Sequence, residues 1–199
     1  SSTSRIASLR PPPSARRLKP SPKMQKFCAW LLERLGWSMR GQWPDLNKVV
    51  LIAAPHTSAW DVVIGLLVLQ ASGLQITFMG KQEAFKWPLG VILRRYGGMP
   101  VNRKAPGGVI EQVVEKINAS EHMWFALAPE GTRKQVKEWK TGFWKIAKQA
   151  NVPVCCAYFH FPEKILGVGE VFELSDDMNA DIAKIRAWYK PYQGKGRGV

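Results

Sequence analysis

A histidine and an acid five residues apart, His56 and Asp61, close the stretch APHTSAWD that follows the apolar run VVLIA. If that run is a buried strand giving way to a helix, His56 sits at a strand's carboxyl end, where α/β folds place their ligands. Asp61 then falls in the helix's first turn, with its carboxylate able to fold back onto the imidazole N–H. An acid so placed fixes the ring's tautomer and stabilises the imidazolium formed when the other nitrogen takes a proton from a hydroxyl. Spacing alone leaves a second reading open. Ser58 and Asp61, three apart, approach a capping box in which Ser58 caps the helix and Asp61 answers its dipole. That accounts for Asp61 and leaves His56 without a task.

Two further stretches could hold an anion. In LAPEGTRK, again after an apolar run, Gly131 lets backbone N–H groups approach closely, and Arg133 offers a planar fork suited to phosphate. The stretch YGGMPVNRK ends on Arg103 and Lys104. Arginine loops at neighbouring strand ends would make a pocket for a phosphorylated substrate, with Glu130 aligning an arginine or accepting from a substrate hydroxyl. The alternative for each loop is a surface turn with a solvated arginine.

The elements that must position these groups can be read from periodicity. Met24 to Gly36 carries apolar residues at helical spacing and a terminating glycine. Strand Lys48–Ala54, helix Ala59–Ala71 and strand Gln75–Gly80 follow, a β-α-β order that implies a parallel pair. Next come a short helical piece at Leu89–Tyr96, a turn at YGGMPV, a helix over Gly108–Asn118 and a strand at Met123–Ala128. A helix over Thr141–Ala150, strands Val152–His160 and Ile165–Phe172, and a helix over Asn179–Tyr189 complete the chain. The alternation predicts an α/β fold: a single domain with a largely parallel mixed sheet flanked by helices, antiparallel late in the chain.

Composition bounds the rest. At 199 residues the chain can close one core, and its unusual features are a net charge of +14 and nine tryptophans. Residues 1–23 hold six of the basic residues, five prolines and no acid, so 14 − 6 = +8 remains without them. So little apolar surface reads as a disordered basic leader, with the domain spanning 24–199. The chain lacks an initial methionine and Met24 could be a start, so an artificial tag is the first reading of the leader, a native tail the second and a transit peptide the third. Cys28, Cys155 and Cys156 are too few and too badly spaced for a disulfide framework or zinc site, which implies a reducing setting and buried thiols. No run is long and apolar enough for a spanning helix. Basic and aromatic residues interleaved in RKQVKEWKTGFWK would also suit a nucleic acid, but that reading gives His56 and the acids nothing to do.

Taken together, the blocks resemble those of the glycerolipid acyltransferase superfamily, whose members acylate glycerol phosphate and lysophosphatidic acid. His56 to Asp61 is similar to its His-x4-Asp motif, Gly97–Arg103 to its second block, Glu130–Arg133 to its EGTR block and Val152–Val154 to its late VP block, in order from Val49 to Phe172. PEGTRKQVKEWKTGF resembles the compact bacterial members. Pro55 stands where many members carry asparagine, and Pro100 where many carry phenylalanine.

The resemblance implies a glycerol-phosphate acyltransferase-like fold, with His56 as general base and Asp61 orienting it. Arg103, Glu130 and Arg133 would hold the acceptor's phosphate and glycerol end, with Gly131 and Thr132 shaping the loop and Lys81 a lesser contributor. The donor would be acyl-CoA or an acylated carrier protein. No metal and no resident cofactor is implied, and no G-x-S-x-G elbow points to an acyl-enzyme. An amphiphilic acceptor, lysophosphatidic acid or an alternative such as a lyso-aminolipid, would be met at a membrane. That implies a cytoplasmic protein peripheral on the inner face, with Trp30, Trp37, Trp43 and the basic charge facing an anionic leaflet or, alternatively, those tryptophans packed on the core.

Overall fold

A computed structural model of the chain describes residues 12–16, 18–19, 21–55, 60–130 and 137–192, together with the backbone of Thr3–Ser4. Eight strands and six helices are described: β1 (Thr3–Ser4), α1 (Pro22–Arg34), β2 (Ser38–Arg40), β3 (Lys48–Ala54), α2 (Trp60–Ser72), β4 (Phe78–Lys81), α3 (Leu89–Arg95), β5 (Gly98–Val101), α4 (Gly108–Ala119), β6 (Met123–Leu127), α5 (Gly142–Ala150), β7 (Val154–His160), β8 (Ile165–Phe172) and α6 (Met178–Trp188).

β3 is the middle of the molecule because KVVLIAA buries side chains on both faces, the pattern of a strand covered on both sides. Its alternate residues divide the core in two. Val49 and Leu51 join Leu32 of α1, Ile64 and Val68 of α2, and Cys155, Ala157 and Phe159 of β7. Val50, Ile52 and Ala54 join Val113 of α4, Phe143 and Ile146 of α5, Cys156 of β7, and Ile185 and Tyr189 of the α6 end. The result is three layers, with α1 and α2 on one face of the sheet and α4, α5 and α6 on the other.

Local signals place the helix ends. Phe143, Ile146 and Ala147 give α5 one buried stripe, and Asn151 closes it in the left-handed region at φ 54°. Asp177 caps α6, its side chain accepting from the Ala180 N–H at 3.0 Å.

The main sheet runs β1-β2-β8-β7-β3-β6. β3 pairs parallel with β6 and β7, whereas β7 and β8 are antiparallel, as the late strands were expected to be. β4 and β5 form a parallel pair, tied to β6 where the Thr77 N–H donates to the Trp124 carbonyl and the Ala126 N–H to the Thr77 carbonyl, both at 2.7 Å. The single α/β domain with a mixed sheet flanked by helices is therefore the fold the sequence implied.

Three readings differ. YGGMPV was read as a turn, but Gly98–Val101 is β5, because backbone pairing with β4 supplies what its glycines and proline lack in strand propensity. The short strand β2 was not foreseen; it pairs parallel with β8. Residues 12–16 and 18–19, read as part of a disordered leader, lie against the domain: Ala15 and Leu18 are buried in the first cluster, Leu18 N–H donates to the Gly73 carbonyl at 2.9 Å, and Gln75 N–H donates to the Arg16 carbonyl at 3.0 Å. The rest of that leader lies outside the described residues, apart from β1 and residues 21–23.

Candidate active site

Four parallel strands stand side by side in the order β3, β6, β4, β5. Their carboxyl ends therefore open on one edge of the sheet, although the strands are scattered through the sequence. The chain leaves β3 there toward Asp61, leaves β6 toward Glu130, ends β4 at Lys81 and leaves β5 toward Arg103. Neighbouring strands lie about 4.8 Å apart, so the three steps from β3 to β5 span roughly 14 Å. The pairing Ile52↔Leu127, continued by two residues, sets Ala54 level with Pro129. Pro55 and Glu130 thus head adjacent loops.

Asp61 is the second residue of α2 and only 3% exposed. A carboxylate this buried costs several kcal/mol unless donors or a positive charge meet it, and the helix N-terminus supplies part of that compensation. Glu130 is buried further still, at 1%. Two buried acids thus stand at this edge, Asp61 in the first turn of α2 and Glu130 just past β6, and carboxylates are seldom buried without partners.

Arg103 is exposed, on a turn that is built rather than loose. Asn102 Oδ1 accepts from the Lys104 N–H at 3.0 Å, while Gln112 of α4 takes both backbone groups of Asn102: its Oε1 accepts from the N–H at 3.1 Å and its Nε2 donates to the carbonyl at 2.7 Å. Gln112 is a positioning residue that sequence reasoning missed. Nothing in an amphipathic helix pattern distinguishes a glutamine that clamps a loop from one that is solvated.

His56, Gly131, Thr132 and Arg133 lie outside the described residues, and for Lys81 only the backbone at the end of β4 is described. Of the expected site residues, the structure thus puts Asp61, Glu130, Arg103 and the Lys81 backbone at one edge. Among the described residues, no three His, Cys, Asp or Glu side chains cluster as metal ligands.

Beside the first turn of α2 lies a cavity of about 220 Å³, lined by Leu35, Trp37, Trp60, Ile64, Phe161 and Lys164. Its walls are apolar except for Lys164, whose Nζ donates to the Leu35 carbonyl at 3.0 Å. Trp60, adjacent in sequence to Asp61, forms part of that wall. The three tryptophans considered for a membrane divide: Trp30 is 56% exposed, Trp37 is buried, and Trp43 packs into the core with its ring centroid 5.9 Å from that of Trp124.

The family model described as Acyltransferase matches residues 38–160, more than half of the chain, which takes in β2 to β7 and all four loops of the edge. The chain belongs to the acyltransferase family. Its fold is similar to that in the crystal structure of the 1-acyl-sn-glycerophosphate (LPA) acyltransferase, PlsC, from Thermotoga maritima, with a TM-score of 0.57 and 17% identity over 82% of this chain and 75% of that one. At that identity the likeness is one of fold. No curated protein matches the sequence. The resemblance to glycerolipid acyltransferases is thus borne out at the level of family and fold.

Proposed function

We propose that the protein moves a fatty acyl group from an acyl thioester, acyl-CoA or an acylated carrier protein, to the hydroxyl of a glycerol-phosphate-type lysolipid such as lysophosphatidic acid, in phospholipid synthesis or remodelling. The observation that supports this reading is the convergence of four parallel strand ends, which brings Asp61, Glu130, Arg103 and the Lys81 backbone to one edge, with Asp61 and Glu130 buried there.

In this reading His56 removes the proton of the acceptor hydroxyl as its oxygen attacks the thioester carbonyl carbon. The C–S bond then breaks and the thiol leaves with a proton from the imidazolium. Asp61 holds the ring and stabilises its charged form. Backbone N–H groups at the start of α2 are the candidate donors to the oxyanion. Arg103 and Arg133 take the acceptor's phosphate, with Lys81 beside them, Glu130 orients the glycerol end, and Gly131 and Thr132 shape the loop. The apolar cavity beside Trp60 is assigned to the acyl chain, since it adjoins the first turn of α2. No metal takes part.

Acceptor and chain are amphiphiles, so the work is done at an anionic bilayer face by a peripheral protein on the inner side of the cell membrane. Among the described residues no helix is long and apolar enough to cross. α1 supports a surface role, with Met24, Phe27 and Trp30 exposed beside Lys23 and Lys26.

A panel of lysolipid acceptors, lysophosphatidic acid and lyso-aminolipids among them, offered with one labelled acyl thioester to wild type and His56→Ala tests this. A general base contributes about 10² to 10⁴ in rate, so His56→Ala should lose about 3–5 kcal/mol of transition-state stabilisation without unfolding. Equal turnover by the two proteins would end the proposal.

A further inference from the structure

The apolar residues of α3 and the turn before it point outward to an unusual degree. Trp87 is 85% exposed, Val91 61%, Ile92 54% and Leu89 50%. No such cluster is expected on a surface that meets only water. It is also held rigidly. Phe85, at the end of the 3-10 turn Gln82–Phe85, is buried and anchors the segment. Arg94 folds back on it, with Nη1 3.4 Å from the Phe85 carbonyl oxygen and its guanidinium 5.1 Å from the Phe85 ring. At Gly90, an added Cβ would fall 2.2 Å from the Phe85 carbonyl oxygen, so helix and turn pack backbone to backbone. The inner side is thus fastened while Trp87, Leu89, Val91 and Ile92 are displayed.

Charge says what they are displayed to. Residues 81–104 contain six cations, Lys81, Lys86, Arg94, Arg95, Arg103 and Lys104, against the single acid Glu83. Cations around protruding tryptophan and aliphatic side chains are the composition of a segment that enters the headgroup layer of an anionic bilayer. Topology says where. The turn leaves β4 at the edge that carries Glu130 and Arg103, so the segment bearing Lys86 and Trp87 starts from that edge.

We propose that residues 86–95 are an interfacial anchor, which sinks Trp87, Leu89, Val91 and Ile92 into an anionic bilayer and holds the candidate active-site edge against its headgroups. This rests on the reading of that site as one that takes an amphiphilic acceptor, because such an acceptor lies in the same bilayer. It differs from a role for α1 in naming a second element, at the mouth of the site.

The test is sedimentation of the full chain with vesicles of phosphatidylcholine, with and without phosphatidylglycerol, in the absence of acyl donor and acceptor. Trp87→Ser with Ile92→Ser should weaken binding to the anionic vesicles by about a hundredfold, roughly tenfold for each side chain kept out of the bilayer. Arg95→Gln should weaken it about fivefold on anionic vesicles and leave neutral ones unaffected. Circular dichroism confirms that each variant is folded. Wild-type binding by the folded double variant overturns the proposal, as does a loss of binding confined to Trp30→Ser in α1. Unchanged vesicle binding with loss of turnover only from a protein-borne acyl donor also overturns it and assigns the surface to an acidic carrier. If no lysolipid is acylated while the double variant still loses binding, the functional reading fails and the anchor stands.

Discussion

Gly97→Ala is the substitution that most directly couples fold to site. Gly97 sits at φ +98°, between α3 and β5, and a Cβ added there would lie 1.6 Å from the Ile76 carbonyl oxygen and 2.8 Å from its carbon. Its own backbone is engaged on both sides: its N–H donates to the Arg94 carbonyl at 3.1 Å, and its carbonyl accepts from the Phe78 N–H at 3.0 Å. A left-handed alanine costs about 1–2 kcal/mol, and forcing a methyl against fixed backbone costs about 1–3 kcal/mol more. Together these give roughly 2–5 kcal/mol, or a fall in Tm of about 5–15 °C for a domain of this size. Relief must come from parting β5 from β4, which displaces the turn carrying Arg103. On the proposed role of Arg103, the acceptor KM should therefore rise in whatever fraction stays folded. The assay is thermal unfolding by circular dichroism beside steady-state kinetics with varied lysophosphatidic acid. Gly142→Ala is the control, since at the first position of α5 an added Cβ meets nothing within 4 Å. It should be neutral or stabilise by about 0.5–1 kcal/mol. Wild-type melting and KM for Gly97→Ala would refute the reasoning, because no rearrangement that keeps the Ile76 carbonyl in place admits the methyl.

Three further outcomes are expected. Asp61→Asn, a near-isosteric change at a 3% exposed position, should cut kcat by about 10² to 10⁴ with the far-ultraviolet spectrum unchanged, and undiminished kcat would remove Asp61 from the mechanism. Tyr189→Phe removes a fully buried hydroxyl lying 2.7 Å from the Ala157 carbonyl oxygen and 3.0 Å from that of Ile52; about 1 kcal/mol, or a few degrees of Tm, should go while KM is kept, and an unchanged Tm would count against that bond. Stability should fall under alkaline conditions: burial pushes the Cys155 thiol from its ordinary 9.0 up to about 12, and raises Cys156 and the Tyr189 phenol as well. The native state thus keeps protons that the unfolded chain gives up, so this contribution is whole below pH 9.0 and is lost as pH climbs toward about 12. A urea midpoint that holds or rises over that range would contradict the burial of these groups.

The amino-acid order alone determined the elements whose signal is local. Lys48–Ala54 reads as a doubly covered strand because every residue from Val49 to Ile52 is apolar, and α5 reads as a helix because Phe143, Ile146 and Ala147 recur at its period. The motif blocks were legible for the same reason, since each is a few adjacent residues. What sequence could not settle depends on which distant segments share backbone hydrogen bonds. β6 lies between β3 and β4, which brings Glu130 and Arg103 to the edge where Asp61 begins its helix, and no stretch of chain encodes that order by itself. β5 was invisible because a glycine and proline segment becomes a strand only when β4 is there to pair with it. The tryptophans show the same division, because an indole suits a core and an interface equally well. Trp37 and Trp43 point inward and Trp30 and Trp87 outward because of what packs beside them, and that is settled only when the chain has folded.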